Sequence, residues 1–238
     1  MPRKAPRRTA ERILDAALDL FNRFGEPNVS TSTVAADLGI SPGNLHYHYP
    51  AKAELVNALF ERYAQSLQPL WPAAREVADV EDAWFILHTM FEKLWDFRFL
   101  YRDINDLLSR NRHLEAAIGQ ILQDKTQAIG ALIDGLRRAD HLQMQDAQVQ
   151  ATARSMVVVL CWWLSFEYAR DPRHALEGEQ AGHSLMRGAY QVLHLLVPYL
   201  APGQRDHLMA LASAYGPSGD AAHRPAGVRR GSGGTSPP

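Results

Sequence analysis

From Thr9 to about Leu200 the apolar residues return at intervals of three and four, and no convincing run alternates apolar and polar residues as a half-buried strand does. That period restricts the chain to an all-α fold, with Gly and Pro marking where each helix stops. Ile13, Ala17, Phe21 and Phe24, with Leu14 and Leu18 beside them, line one side of a first helix. Thr9 is placed to cap it, Glu11 falls in its first turn, and Gly25 and Pro27 end it. A short second helix follows Ser30 or Thr31, with Val34, Ala35 and Leu38 inward. Gly39 suits its left-handed end. Ser41 can cap a third helix, with Pro42 at the first position, and Tyr49-Pro50 closes it. A fourth begins near Ala51 and carries Leu55, Val56, Leu59, Phe60 and Tyr63. Pro69 and Pro72 break the chain near a plausible boundary. Beyond it the spacing predicts helices near 80–97, 99–111, 113–139, 145–170 and 177–199, and a short one at 203–214.

Composition narrows the function. The chain has 238 residues, of which 46% are hydrophobic, enough for a sizeable core in one domain or two. A net charge of -1 gives no global attraction to nucleic acid or membrane, so any such signal must be local. The single cysteine, Cys161, excludes an internal disulfide framework and fits a reducing cytoplasm. The basic start, Met1 to Arg8, is followed by no apolar signal core, so secretion is not expected. The longest apolar stretch, Met156 to Leu164, is about half of the ~20 residues a membrane helix needs. It reads as a buried helix, and no membrane partner is expected. From Gly216 onward Gly, Ser, Pro and Arg dominate, too little apolar surface to order a tail at 216–238.

The informative segment is 31–48. Two short helices joined by Gly39-Ile40-Ser41 suit a helix-turn-helix, in which the second helix enters a major groove while the first braces it. Leu45 points back to the core and leaves Pro42, Gly43, Asn44, Tyr47 and His48 outward. Small residues at 42 and 43 allow close approach to base edges. Asn44 can pair with adenine or reach a phosphate, Tyr47 and His48 can contact backbone or bases, and Lys52 can meet a phosphate.

With those residues in hand, Thr9 to Leu59 resembles the DNA-binding domain of TetR-type transcriptional regulators. The residues that carry the resemblance are Ile13-Leu14, Ala16-Ala17, Leu20-Phe21, Gly25, Val34-Ala35, the run Leu38 to Leu45, then Tyr47-His48-Tyr49, Lys52 and Leu55. The resemblance implies a homodimer with a three-helix DNA-binding domain and a larger helical domain for effector binding and dimerisation. The division would be a basic arm at 1–8, the helix-turn-helix domain at 9–62 and the effector domain at 63–215. By family position Ser32, Thr33, Pro42, Gly43, Asn44, Tyr47, His48 and Lys52 contact double-stranded operator DNA. His46 occupies the place of a usual phosphate-contacting tyrosine, a role a histidine can fill by donating its own N–H. Because Ser32 and Thr33 bring no charge, Arg3, Lys4, Arg7, Arg8 and Lys52 must supply most of it. A steep salt dependence, flattened by deleting residues 1–8, is expected.

Other patterns carry less. Gly39-x-Ser41-x-Gly43 matches a hydrolase nucleophile elbow, but that chemistry needs a strand before the serine and here a helix precedes it. His46 and His48 lie two apart, about 200° around a helix, so they do not form a metal pair. No cofactor, catalytic residue or metal site is expected, and the chain does not read as an enzyme. The aromatic-rich stretches at 84–101 and 162–168 are ordinary core, or the lining of an apolar cavity. On the second reading Trp84, His88, Phe91, Trp95, Phe99, Arg102, Asn105, Trp162, Trp163 and Phe166 hold an apolar, aromatic or acyl-like effector. The resemblance makes the last two long helices the dimer interface. Met156, Val157, Leu160, Leu164, Leu185, Ala189, Val192, Leu193 and Leu196 are available to bury there, or in the monomer core, or in both. A ligand-responsive regulator, a repressor in character, is expected from these readings. The alternatives are a small-molecule binding protein or enzyme with an incidental helix-turn-helix, and a nonspecific architectural DNA binder.

Overall fold

The computed structural model describes the backbone of residues 6–172 and 178–215 and the side chains of 8–172 and 182–211. Every regular element among them is helical, apart from one isolated antiparallel bridge between Leu142 and Leu200. Helix α1 spans Pro6–Phe24, α2 Thr31–Asp37, α3 Pro42–His48 and α4 Lys52–Leu67. The helix starts at Pro6 because proline's fixed φ suits a first turn. Thr9 is therefore inside α1 and not its cap, and residues 6–8 belong to the helix and not to an extended arm. The side chains of Arg3, Lys4 and Arg7, and the tail from 216, lie outside the described residues. Arg8 is exposed.

These four helices share one small core. Ile13, Ala17, Phe21, Val34, Ala35, Leu45, Leu55 and Leu59 are each completely buried. Full burial of such side chains is worth about 1.5–3 kcal/mol apiece before entropy is charged against it. Gly25, at φ +89°, turns the chain out of α1 into a short 3-10 turn, Glu26–Asn28.

Helix α4 does not stop at a domain border. After Leu67 the chain runs almost directly into α5, Leu70–Ala73, so Pro69 and Pro72 make a bend and no linker. Helix α4 packs on α1 at one end and on the later helices α6 (Val80–Asp96) and α9 (Arg112–Arg138) at the other. The expected helix at 99–111 is two pieces, α7 Arg98–Arg102 and α8 Ile104–Arg110, parted at Asp103. Gly135 does not end α9. It is needed because a Cβ there would collide with the Val77 carbonyl oxygen, where the loop after α5 crosses the helix.

Helices α10 (Asp146–Arg170) and α11 (Gly178–His194) follow, then a 3-10 turn, Val197–Tyr199, and α12, Pro202–Tyr215. The predicted helix at 177–199 thus breaks before its 3-10 end. Helix α10 packs on α9, α11 and α7. It is long and apolar enough to cross a membrane by length and composition, with mean hydropathy 1.3 over its most apolar 18 residues. Its apolar character has a simpler cause, since one face builds the core through Ala153, Met156, Leu160 and Leu164 while Val158, Trp162 and Phe166 stay exposed on the other.

Candidate functional site

The helix-turn-helix is built by two caps and one glycine. Ser30 Oγ accepts from the Thr33 N–H at 3.0 Å and caps α2. Gly39 sits at φ +63°, a conformation in which a side chain is strained, and sends its N–H to Ala36 O and that of Ile40 to Ala35 O, each at 3.0 Å. Ser41 Oγ accepts from Asn44 N at 3.2 Å, and Pro42 occupies the first helical position of α3. These bonds satisfy helix ends that packing leaves open, and fix α3 across α2.

Leu45 anchors α3 and leaves Pro42, Gly43, Asn44, His46 and Tyr47 exposed on its outer side, Tyr47 at 79%. His48 is half-buried, with its ring edge-on to Tyr47 at 5.1 Å. Ser32 and Thr33 are exposed on α2, and the Thr33 hydroxyl lies 2.8 Å from that of Ser30. All of the set from 32 to 48 but half-buried His48 is thus exposed.

Two of the expected DNA contacts have partners that sequence reasoning did not foresee. His46 Nδ1 lies 3.0 Å from Pro50 O. A carbonyl only accepts, so Nδ1 carries the proton in that bond. Nε2 of the neutral ring then has a lone pair and nothing to donate. Donation to a phosphate at this position requires the imidazolium form. Lys52 is also committed: its ammonium donates to Glu26 O at 2.6 Å and pairs with the Glu26 carboxylate at 2.9 Å. The carboxylate is almost wholly buried and receives Arg110 from α8 at 3.2 Å as well. Glu26 is the functional residue missed from sequence, because its partners lie 26 and 84 positions away. Neither α2 nor α3 carries a lysine or arginine.

The same corner joins the helix-turn-helix to the rest of the chain. Asn22 donates to Asp96 O at 2.8 Å and accepts from Phe99 N at 3.1 Å. Asp103 accepts from Glu26 N at 2.9 Å. Arg102, expected to face an effector, instead gives its guanidinium to Phe21 O at 2.7 Å and Asn22 O at 3.3 Å. Both carbonyls stand in the last turn of α1, where Phe21 O also accepts from Gly25 N at 3.0 Å. A polar cleft of ≈620 Å³ opens beside this joint, between Arg23, Asn28, Arg98 and Tyr168.

The remaining effector candidates differ widely in exposure. Trp84, Phe91 and Phe99 are buried in the core. His88, Trp95 and Trp163 are half-buried, Asn105 is exposed on α8, and Trp162 and Phe166 are on the outer face of α10. Trp163 donates to Ser184 O at 2.7 Å, which ties α10 to α11. A group absent from that reading lies deeper: Lys125, fully buried on α9, contacts Tyr101 and Cys161, and Tyr101 contacts Tyr63. A lone lysine in an amphipathic helix pattern does not declare itself as buried, so sequence alone carried no signal for it.

Of the roles left open for the apolar residues of the last two long helices, the monomer core is the one the described contacts display. Met156, Val157, Leu160, Leu164, Leu185, Ala189, Val192, Leu193 and Leu196 are all buried within the monomer. Among the described residues, the apolar side chains on the outside of this helix pair include Val158, Trp162, Phe166 and Tyr168 on α10, with half-buried Met186 and Tyr190 on α11. Residues 158, 162 and 166 repeat every four positions, which puts them on one helical face.

An all-helical body presenting a capped helix-turn-helix with a small, polar outer surface defines a DNA-binding regulator. The comparisons give the family. The sequence pattern of bacterial regulatory proteins of the tetR family matches residues 13–59, and that of the TetR bacterial transcriptional repressors matches residues 62–208. The chain belongs to the TetR family of transcriptional regulators, whose members are DNA-binding regulators and not enzymes. A solved TetR-family regulator from Marinobacter aquaeolei VT8 is 32% identical, with a TM-score of 0.79 over 88% of this chain and 99% of that one. The nicotine-responsive transcriptional repressor HdnoR of Paenarthrobacter nicotinovorans is 26% identical over 69% of this chain and 87% of its own length. The nucleoid occlusion factor SlmA of Haemophilus ducreyi is 32% identical over 28% of this chain, which spans about a third (34%) of that relative's length.

Proposed function

We propose that this regulator is a homodimeric, ligand-responsive repressor that acts in the cytoplasm on a near-palindromic operator and is released by a small apolar or acyl-like effector. The observation that carries the reading is the presentation of α3. Leu45 is its buried anchor, Ser41 its cap, and Pro42, Gly43, Asn44 and Tyr47 stand clear of the protein. Two copies related by a twofold axis would set two such helices in successive major grooves, about 34 Å apart. Ser32, Thr33 and His48 flank the groove-facing residues, and His46 in its imidazolium form reaches a phosphate. Lys52 joins the contacts when it leaves Glu26.

The outer face of α10 and α11 is the surface we assign to the dimer. The apolar stripe through Val158, Trp162 and Phe166 has the chemistry of an interface core. Coupling between effector and operator follows from α4, one continuous helix that starts at the helix-turn-helix and ends among α6 and α9. Moving its far end turns the whole unit against its twofold mate. An effector that favours the moved state weakens DNA binding by its differential affinity for the two states, and DNA weakens effector binding equally. The name of HdnoR records a repressor that responds to a small organic molecule, which supports this division of labour.

The test is gel retardation of duplex from the gene's own upstream region against excess nonspecific competitor. Competitor-resistant retardation at dimer stoichiometry, lost in Tyr47→Ala, is the expected result. Equal affinity for competitor duplex would replace the reading with a nonspecific DNA binder.

A further inference from the structure

Lys125 is completely buried on α9, and no carboxylate among the described residues pairs with it. Its ammonium donates to Tyr101 Oη at 2.7 Å and Cys161 Sγ at 3.4 Å, and lies 5.5 Å and 4.7 Å from the ring centres of Tyr63 and Tyr101. Tyr101 and Tyr63 share a hydrogen bond of 2.9 Å. An ammonium brings three N–H donors, and each phenol and thiol brings one more. The cluster therefore holds six hydrogens to donate, and the three polar contacts within it take up three. A buried cation without an anion costs several kcal/mol, and a fixed polar cluster that lacks acceptors costs more. Burial holds both phenols above the usual range, so they remain donors. Burial disfavours the Lys125 ammonium, and the neighbouring Cys161 and Tyr63 groups offset that and hold it above the usual lysine range.

We propose that the effector of this regulator carries an organic acid group that docks on Lys125, its carboxylate oxygens accepting from the ammonium and from the Tyr101 and Tyr63 hydroxyls. The inference rests on the effector-responsive reading above and names the chemical class of the effector. The rest of the ligand must be apolar, because Phe60 and Phe97 pack their rings against Tyr63 at 6.3 Å and 5.4 Å and are themselves buried. The position also supplies the switch. Tyr63 belongs to α4, Tyr101 to α7, Lys125 to α9 and Cys161 to α10, and all four side chains are buried. An occupant enters only by parting these helices, and the one it displaces at Tyr63 is the helix that begins at the helix-turn-helix.

Matched pairs test the assignment: decanoate with decan-1-ol, benzoate with benzyl alcohol and 2-naphthoate with 2-naphthylmethanol. Thermal unfolding of the full chain reads binding without DNA, because a ligand of the native state raises Tm by mass action. The expected result is that at least one acid binds about tenfold or more tighter than its alcohol, the span of a hydrogen bond to a charged group. In Lys125→Met that ratio falls to about one. Lys125→Gln is the second variant, should the methionine protein not fold. An acid-to-alcohol ratio near one in every pair overturns the proposal, as does a preference that survives loss of the ammonium. The regulator reading fails separately, by absence of specific retardation in unliganded protein, and that result leaves acid binding standing.

Discussion

Replacing Glu26 by glutamine tests the joint that carries motion between the two halves of the chain. The carboxylate is 5% exposed and holds Lys52, itself 27% exposed, at 2.9 Å. A pair at ~4 Å in an effective dielectric of ~20 attracts by about 4 kcal/mol, against which stands the cost of burying the carboxylate. Removing one partner of a fully buried pair costs about 3–5 kcal/mol. Lys52 retains a path to water, so Glu26→Gln should cost less, about 2 kcal/mol. For a chain of this size that is a fall in Tm of about 4–8 °C, read by circular dichroism. In a Lys52→Met background Glu26 keeps Arg110 at 3.2 Å but has lost its nearer partner, so the same change should cost less there, and the double-mutant cycle isolates the Lys52 pair. The DNA readout moves the other way. With Lys52 free to reach a phosphate, the slope of log affinity against log salt should steepen by about one. An equal loss of stability in both backgrounds, with no change of slope, would refute this account of Glu26.

Three further outcomes can be checked directly. His46→Tyr supplies a hydroxyl donor in place of a ring whose Nδ1 proton is held by the Pro50 carbonyl, so operator affinity should rise in titrations by fluorescence anisotropy. Trp162→Glu places a charge in the middle of the outer α10 stripe. Sedimentation should show dissociation to monomer with helicity retained, and an unchanged dimer would move the interface elsewhere. Tyr63 and Tyr101 are raised above 10 by burial. Their phenols ionise first in the unfolded chain, which therefore binds fewer protons than the native state as pH rises through that range. Stability should fall above pH ~10 in alkaline titrations followed by phenolate absorbance, and Tyr101→Phe should reduce the fall.

Legibility followed the range of the interactions. The helical period, the Gly39 turn, the caps at Ser30 and Ser41, and the outward set Pro42, Gly43, Asn44 and Tyr47 were readable because each depends on residues within about four positions of itself. Those local rules were enough to place the helix-turn-helix and most later helices. They failed wherever a distant partner decided. Arg102 looked free for a ligand and is held by carbonyls of residues 21 and 22. Lys52 looked free for DNA and is held by Glu26. The apolar residues of α10 and α11 were known to need burial, but an apolar side chain does not specify which neighbour covers it. Packing gave Leu160 and Leu164 to the core and left Trp162 and Phe166 outside. Period and punctuation thus determined the elements and the DNA-reading motif, while tertiary structure decided which charges are spent inside the protein and which apolar face remains to be covered. Burial and electrostatic pairing depend on residues brought together from far apart in the chain, and no local pattern records them.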